Sequence, residues 1–127
     1  ITACTGPMPN TWGLTYDDGP SQFTPTVLAG LAKHNWTATF FTIGVNILKY
    51  PQNMKAAFDA GHQIALHTWS HQYMTQLTND QVIAELIWGA KATYEVLGVI
   101  PTYWRPPFGD VDSRVRWLAA QLGLKTV

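Results

Sequence analysis

The sequence predicts an α/β domain of parallel strands joined by crossover helices. Short β-branched and aromatic runs alternate with helix-patterned segments along all 127 residues, at the spacing of βαβ units. The apolar runs end in turns that carry acids, histidines or an arginine, as strands do when they deliver chemistry to one sheet edge. No repeat, low-complexity tract or linker interrupts the pattern. It suits a (β/α) barrel or an open doubly wound sheet. A complete barrel takes about 250 residues, and the chain ends as a fifth apolar run begins, so the simplest expectation is the N-terminal part of a larger barrel.

The first strand is read from the run that leads into Asp17-Asp18-Gly19-Pro20-Ser21, with both acids expected just past its C-terminal end. Thr24-Pro25 reads as an N-cap followed by proline at the first helical position, opening a helix over 26–34 whose face carries Val27, Leu28 and Leu31. Residues 37–43, TATFFTI, form the second strand, closed by Gly44. A helical pattern over 46–60 is split or started by Pro51 and stopped by Gly61. The third strand, 62–66, runs into His67-Thr68-Trp69-Ser70-His71. Thr78-Asn79-Asp80-Gln81 matches a capping box, and Val82, Ile83, Leu86, Ile87, Ala90, Tyr94 and Leu97 recur at helical spacing until Gly98. Residues 99–104 are expected as the fourth strand, and the two prolines after Arg105 force the backbone out of the sheet. Asp112 or Ser113 caps the last helix, which Gly123 stops.

Composition narrows the partners. Lys plus Arg and Asp plus Glu both number 8, so no net field attracts nucleic acid or an anionic membrane surface. No apolar run is long enough to span a membrane. Cys4 is the only cysteine, which excludes an internal disulfide and a cysteine cage for zinc. Asn35-Trp36-Thr37 is an N-glycosylation sequon, and with sparse charge, six Trp and five Tyr it leans toward a secreted, extracellular or cell-wall protein that meets sugars.

Three clusters carry the chemistry: Asp17-Asp18, His67 with His71, and Arg105 to Phe108. If the strands are parallel, their ends share one edge and the clusters converge. Two histidines four apart plus a carboxylate then form a tridentate site with room for water, suited to zinc or a related divalent ion such as Co2+ or Ni2+. One aspartate can ligate the ion while the other stays free as a base, held ionised by Arg105 in a bidentate pair. The backbone N–H of Phe108, in the turn, can steady an oxyanion. His34 and His62 read as structural. Trp12, Trp69 and Trp104 each flank a cluster, either as stacking platforms for sugar rings or as core.

These residues resemble the polysaccharide deacetylase family of carbohydrate esterases (carbohydrate esterase family 4 type), particularly its fungal chitin deacetylases. Thr15-Tyr16-Asp17-Asp18-Gly19-Pro20 is similar to the family's first motif, His67-Thr68-Trp69-Ser70-His71 to its second and Arg105-Pro106-Pro107-Phe108-Gly109 to its third. The resemblance implies that Asp17 is the catalytic base, that Asp18, His67 and His71 bind the metal, that Arg105 orients Asp17, and that the Phe108 amide contributes to an oxyanion hole. The expected substrate-facing residues are Trp69, Tyr16, Pro107 and Trp104. It further implies a distorted (β/α) barrel and removal of N-acetyl groups from N-acetylglucosamine units of chitin or chitooligosaccharides, with O-acetyl xylan, peptidoglycan or non-catalytic sugar binding as alternatives. Residues 1–127 would be the N-terminal portion of one catalytic domain. The family's fourth motif and its fifth, which supplies a histidine as general acid, do not occur in this sequence, and are expected on a C-terminal segment that completes the barrel and offers Cys4 a disulfide partner.

Overall fold

The computed structural model describes residues 12–127; Cys4 lies outside them. The elements run β1 (Thr15–Gly19), α1 (Thr24–Lys33), β2 (Thr39–Thr42), α2 (Gly44–Lys49), α3 (Pro51–Asp59), β3 (Gln63–Leu66), α4 (Asn79–Leu97), β4 (Tyr103–Trp104), α5 (Ser113–Gln121) and β5 (Lys125–Thr126). All pairings are parallel, in the order β1-β2-β3-β4-β5. A doubly wound sheet reverses its strand order at a switch point; this one steps always to the same side, which is how a (β/α) barrel is wound.

Register decides where chemistry collects. Gly19 pairs with Thr42, Thr42 with Leu66, Leu66 with Trp104 and Trp104 with Thr126. This lateral row marks the C-terminal edge. One step beyond it, the amides of Ile43, His67, Arg105 and Val127 bond the carbonyls of Gly19, Thr42, Leu66 and Trp104. The three clusters are thereby carried to one edge.

The core lies between the sheet and its helices. Leu66, Trp104 and Leu124 pack against Val82 and Leu86 of α4 and Val115, Leu118 and Ala119 of α5; Phe40 and Ile64 pack with Leu31, Ile47, Met54 and Ala57 from the first three helices. Strand alternation places Phe41, Ala65 and His67 on the other face. Leu86 is fully buried, so truncating it to Ala costs about 2–5 kcal/mol.

Local signals explain most boundaries. Both halves of the Thr78–Gln81 capping box form, at 3.3 and 2.9 Å, and α4 ends where Gly98 adopts φ 71°. Pro51 starts a new helix, dividing 46–60 into α2 and α3. Asp112 is the cap of α5, its carboxylate accepting from the Val115 amide at 2.7 Å.

Three expectations are corrected. The N-cap of α1 is Phe23, not Thr24; the Thr24 hydroxyl instead accepts the Ser21 amide at 2.9 Å. The fourth strand is only Tyr103–Trp104, because Val99 and Ile100 are exposed and find no ladder partner. The acids lie inside β1 rather than beyond it. There the register shifts between Tyr16 and Gly19 and Asp18 takes φ 69°, a bulge that re-aims side chains.

Candidate metal and catalytic site

The bulge in β1 divides the two acids. Asp17 meets Arg105, while Asp18, turned by its positive φ, meets both histidines. The backbone accomplishes this division by a local twist. Asn46 Nδ2 donates to the Asp18 carbonyl at 2.9 Å and holds the bulge from α2.

His67 follows β3 on the face opposite Leu66 and is buried. Its Nδ1 lies 2.7 Å from the Arg105 carbonyl. A carbonyl only accepts, so Nδ1 carries the hydrogen and, in the neutral ring, Nε2 presents a bare lone pair. That lone pair faces Asp18 Oδ1 at 3.4 Å, and His71 Nε2 lies 3.1 Å from the same oxygen. Burial pushes the His67 pKa below its ordinary 6.5, outweighing the Arg105 carbonyl and the charges of Asp17 and Asp18. The neutral, metal-ready ring is therefore favoured.

The fit to a divalent ion can be tested on these donors. One ligand atom from each of Asp18, His67 and His71 lies within 4.8 Å of the others. Tetrahedral bonds of about 2.0–2.1 Å place ligand atoms about 3.3 Å apart, a value between the two Asp18 distances of 3.4 and 3.1 Å. The His67 Nε2 lone pair and the Asp18 carboxylate it faces repel unless a cation lies between them. The donor set fits a metal.

Arg105 Nη1 reaches Asp17 Oδ1 at 2.9 Å and Oδ2 at 3.1 Å, and donates to Thr15 Oγ1 at 3.0 Å. One nitrogen serves both oxygens, so the pairing is not the fork expected of a bidentate guanidinium. The guanidinium carbon lies 4.0 Å from the centre of the Phe41 ring, which braces it from beneath the site. A cleft of about 890 Å3 opens above, lined by Asp17, Asp18, His67, His71, Arg105 and Phe108 among others. Phe108 stands at its rim with φ 59°, stacked on Tyr73 at 4.1 Å and edge-on to His71 at 4.6 Å.

The expected substrate-facing residues are placed differently. Trp104 is fully buried and its Nε1 donates to Thr126 Oγ1 at 2.9 Å; it is core, with no ring face for a sugar. Pro107 is likewise buried. Trp69 packs half-buried on the helix-side core beside Gly44 and Trp88, leaving the cleft to His67 and His71 on either side of it. Tyr16 stacks on Phe40 at 5.3 Å and belongs to the helix-side core, bordering a smaller groove behind the acids. Trp12 lies with Trp36 and Asn35 around a different cavity. His62 is buried with its Nδ1 accepting the Ala38 amide, and His34 stacks on Trp36. Asn35 is exposed.

Sequence reasoning missed two carboxylates. Glu85 on α4 binds the loop between the histidines, and Asp110 accepts from the amide and hydroxyl of Thr75, tying the loop after β4 to the turn after His71. Glu85 leaves a readable trace: it stands three residues from Val82 and four from Gly89, on the inward face of a helix where an acid has no ordinary reason to be.

Comparison with known proteins accords with this geometry. The family model described as polysaccharide deacetylase matches residues 6–127. Chitin deacetylase 1 of Cryptococcus neoformans var. grubii is 49% identical over 121 residues, covering 95% of this chain and 26% of that protein. A chitin deacetylase of Amylomyces rouxii is 47% identical over 127 residues, covering all of this chain and 30% of its own length. Among solved structures, a family 4 carbohydrate esterase from Streptomyces lividans in complex with acetate superimposes with a TM-score of 0.88 at 36% identity, over 91% of this chain and 60% of that one. The chitin deacetylase of Colletotrichum lindemuthianum does so with a TM-score of 0.86 at 31% identity, over 90% and 53%. The chain thus spans between a quarter and a third of these two curated relatives and a little over half of these structures. With its motifs, its parallel winding and its matched residues in agreement, the chain belongs to the polysaccharide deacetylase family.

Proposed function

We propose that the protein removes N-acetyl groups from N-acetylglucosamine units of chitin or chitooligosaccharides, releasing acetate and leaving free amines. The observation that carries this reading is an acid paired to arginine standing beside a separate Asp-His-His donor set in one open cleft. Relatives named chitin deacetylases at 47–51% identity support the substrate, whereas a peptidoglycan N-acetylglucosamine deacetylase matches at 33%.

Asp18, His67 and His71 would hold the ion, with zinc the best match to this nitrogen-rich set. Bound there, it would polarise the acetamide carbonyl and lower the pKa of a water toward about 7. Asp17, paired to Arg105, takes a proton from the attacking water. The Phe108 amide donates to the carbonyl oxygen as negative charge develops on it. The C–N bond then breaks, the leaving nitrogen taking the proton that Asp17 accepted and a second from the hydroxyl of the former water, and acetate leaves. Burial favours the neutral His67 ring, and its Nδ1–H, committed to the Arg105 carbonyl, leaves Nε2 as the free lone pair.

Secretion and N-glycosylation at Asn35 belong to the same proposal, supported by the exposed sequon and by a substrate that lies outside cells. Among the described residues no helix is long and apolar enough to cross a membrane. The test is acetate release by the purified protein from chitooligosaccharides, peptidoglycan fragments and acetylated xylan in parallel. Release from the first at least tenfold faster supports the chitin reading; preference for either of the others replaces it.

A further inference from the structure

We propose that Glu85, a residue of α4 that does not reach the cleft, positions the metal ligands by fixing the loop between His67 and His71. The inference rests on the metal-site reading above. The Glu85 carboxylate accepts the backbone amides of Trp69 and Ser70, each at 2.8 Å on Oε2, and the Ser70 hydroxyl on Oε1. Three donors from two consecutive loop residues converge on one carboxylate, and charged acceptors make the stronger hydrogen bonds.

The loop needs such an anchor. Thr68 and His71 both hold positive φ, 66° and 61°, a conformation that non-glycine residues keep only when the surroundings dictate it. The surroundings are specific. The Thr68 carbonyl accepts the Gly44 amide at 2.9 Å and the Trp69 carbonyl the Val45 amide at 3.0 Å, so α2 holds the loop's acceptors while Glu85 holds its donors. The Thr68 hydroxyl accepts the His71 amide at 3.2 Å and passes this constraint to the second ligand. On α4, a Cβ at Gly89 would come within 3.3 Å of the Thr68 carbonyl oxygen, which shows how closely helix and loop are seated. Without the carboxylate, two amides face a helix with no acceptor, and the loop must turn to find water. His71, one residue beyond the anchored pair, then loses its fixed distance to Asp18.

The experiment compares the parent protein with E85A, E85Q and V82A, the last a buried truncation on the same helix. Zinc affinity is read by competition with a chromogenic chelator, ligand geometry by the visible absorption of the Co2+ form, and fold by a thermal melt of the metal-free protein. Outer-shell partners of metal ligands are worth about 10–100-fold in affinity. E85A is expected to weaken zinc by that factor and to alter the Co2+ bands, while E85Q, which keeps one acceptor oxygen, loses about three- to tenfold. V82A should lower the melting midpoint with zinc affinity held within twofold. If E85A does not fold, E85Q alone decides: a threefold or greater loss supports the proposal and unchanged affinity overturns it. Zinc affinity within twofold of the parent in folded E85A overturns it, as does an equal loss in V82A, which would reduce Glu85 to helix stability. Absence of zinc binding by the parent would overturn the metal-site reading itself, a result separable from the others.

Discussion

Replacing Asp17 by Asn separates the proposed base from the proposed metal site. The side chains of Asp17 and Arg105 are 32% and 27% exposed, so their ion pair is screened and is worth at most about 1 kcal/mol to the fold. The Asn carboxamide keeps an oxygen for Arg105 Nη1, and the protein should melt within a few degrees of the parent. Asp17 is outside the Asp18, His67 and His71 donor set. Removing its charge from a solvated cleft changes the energy of a neighbouring divalent ion by about 1–2 kcal/mol, or about five- to thirtyfold in affinity. Its proton-accepting role is lost entirely, and a positioned general base contributes about 100- to 10,000-fold, or about 3–5 kcal/mol of barrier. The assay is acetate release from chitooligosaccharides, read as kcat/KM, alongside zinc competition and a melt. A fall of at least 100-fold with retained metal is expected. Retention of a tenth of the parent activity would refute Asp17 as base, and loss of zinc would refute the division of labour between the two acids.

Other perturbations probe the scaffold and its response to pH. At Gly44 an added Cβ would clash with the Trp69 ring, so Gly44→Ala should cost about 1–3 kcal/mol by overpacking and displace the loop that carries His71; a urea midpoint with zinc competition measures both effects. His62 is held neutral by burial, with its pKa below the ordinary 6.5, and its Nδ1 accepts the Ala38 amide. The folded state therefore binds fewer protons than the unfolded one. The stabilisation is complete above 6.5 and fades as pH falls toward the folded value, with a slope of at most about 1.4 kcal/mol per pH unit. His62→Gln should flatten that slope in urea titrations between pH 7.5 and 5.5, and a parent that gains stability relative to the variant on acidification would contradict it. Trp104→Ala should cost about 3–5 kcal/mol without selectively weakening substrate, because the ring is core; a raised KM with unchanged stability would restore it to the site.

The site was legible because its chemistry is written in three short segments whose meeting place follows from topology. Parallel strands share a C-terminal edge, so Asp17, Asp18, His67, His71 and Arg105 could be brought together from strand ends alone. Side-chain direction was not legible in the same way. The bulge at Asp17-Asp18 depends on how β1 meets β2, and Trp69 packs on the helix-side core rather than in the cleft. Trp104 is a strand residue whose face is set by packing against α4 and α5, which neighbouring prolines do not reveal. The run at Val99-Ile100 has strand composition, yet the sheet offers it no partner before Tyr103. Short-range signals with their own hydrogen bonds were the most reliable: the Thr78–Gln81 box, the Gly98 stop and the Pro51 break all appear where local chemistry requires them.

The proposed activity depends on an ion held by Asp18, His67 and His71. The deciding measurement is acetate release from chitooligosaccharides by the protein stripped with a chelator, then restored with zinc, with His71→Ala treated in parallel. A drop of at least 100-fold on stripping, recovery on zinc addition and no recovery in His71→Ala is the predicted result. Undiminished release by the stripped protein, or full zinc-dependent recovery in His71→Ala, would contradict it.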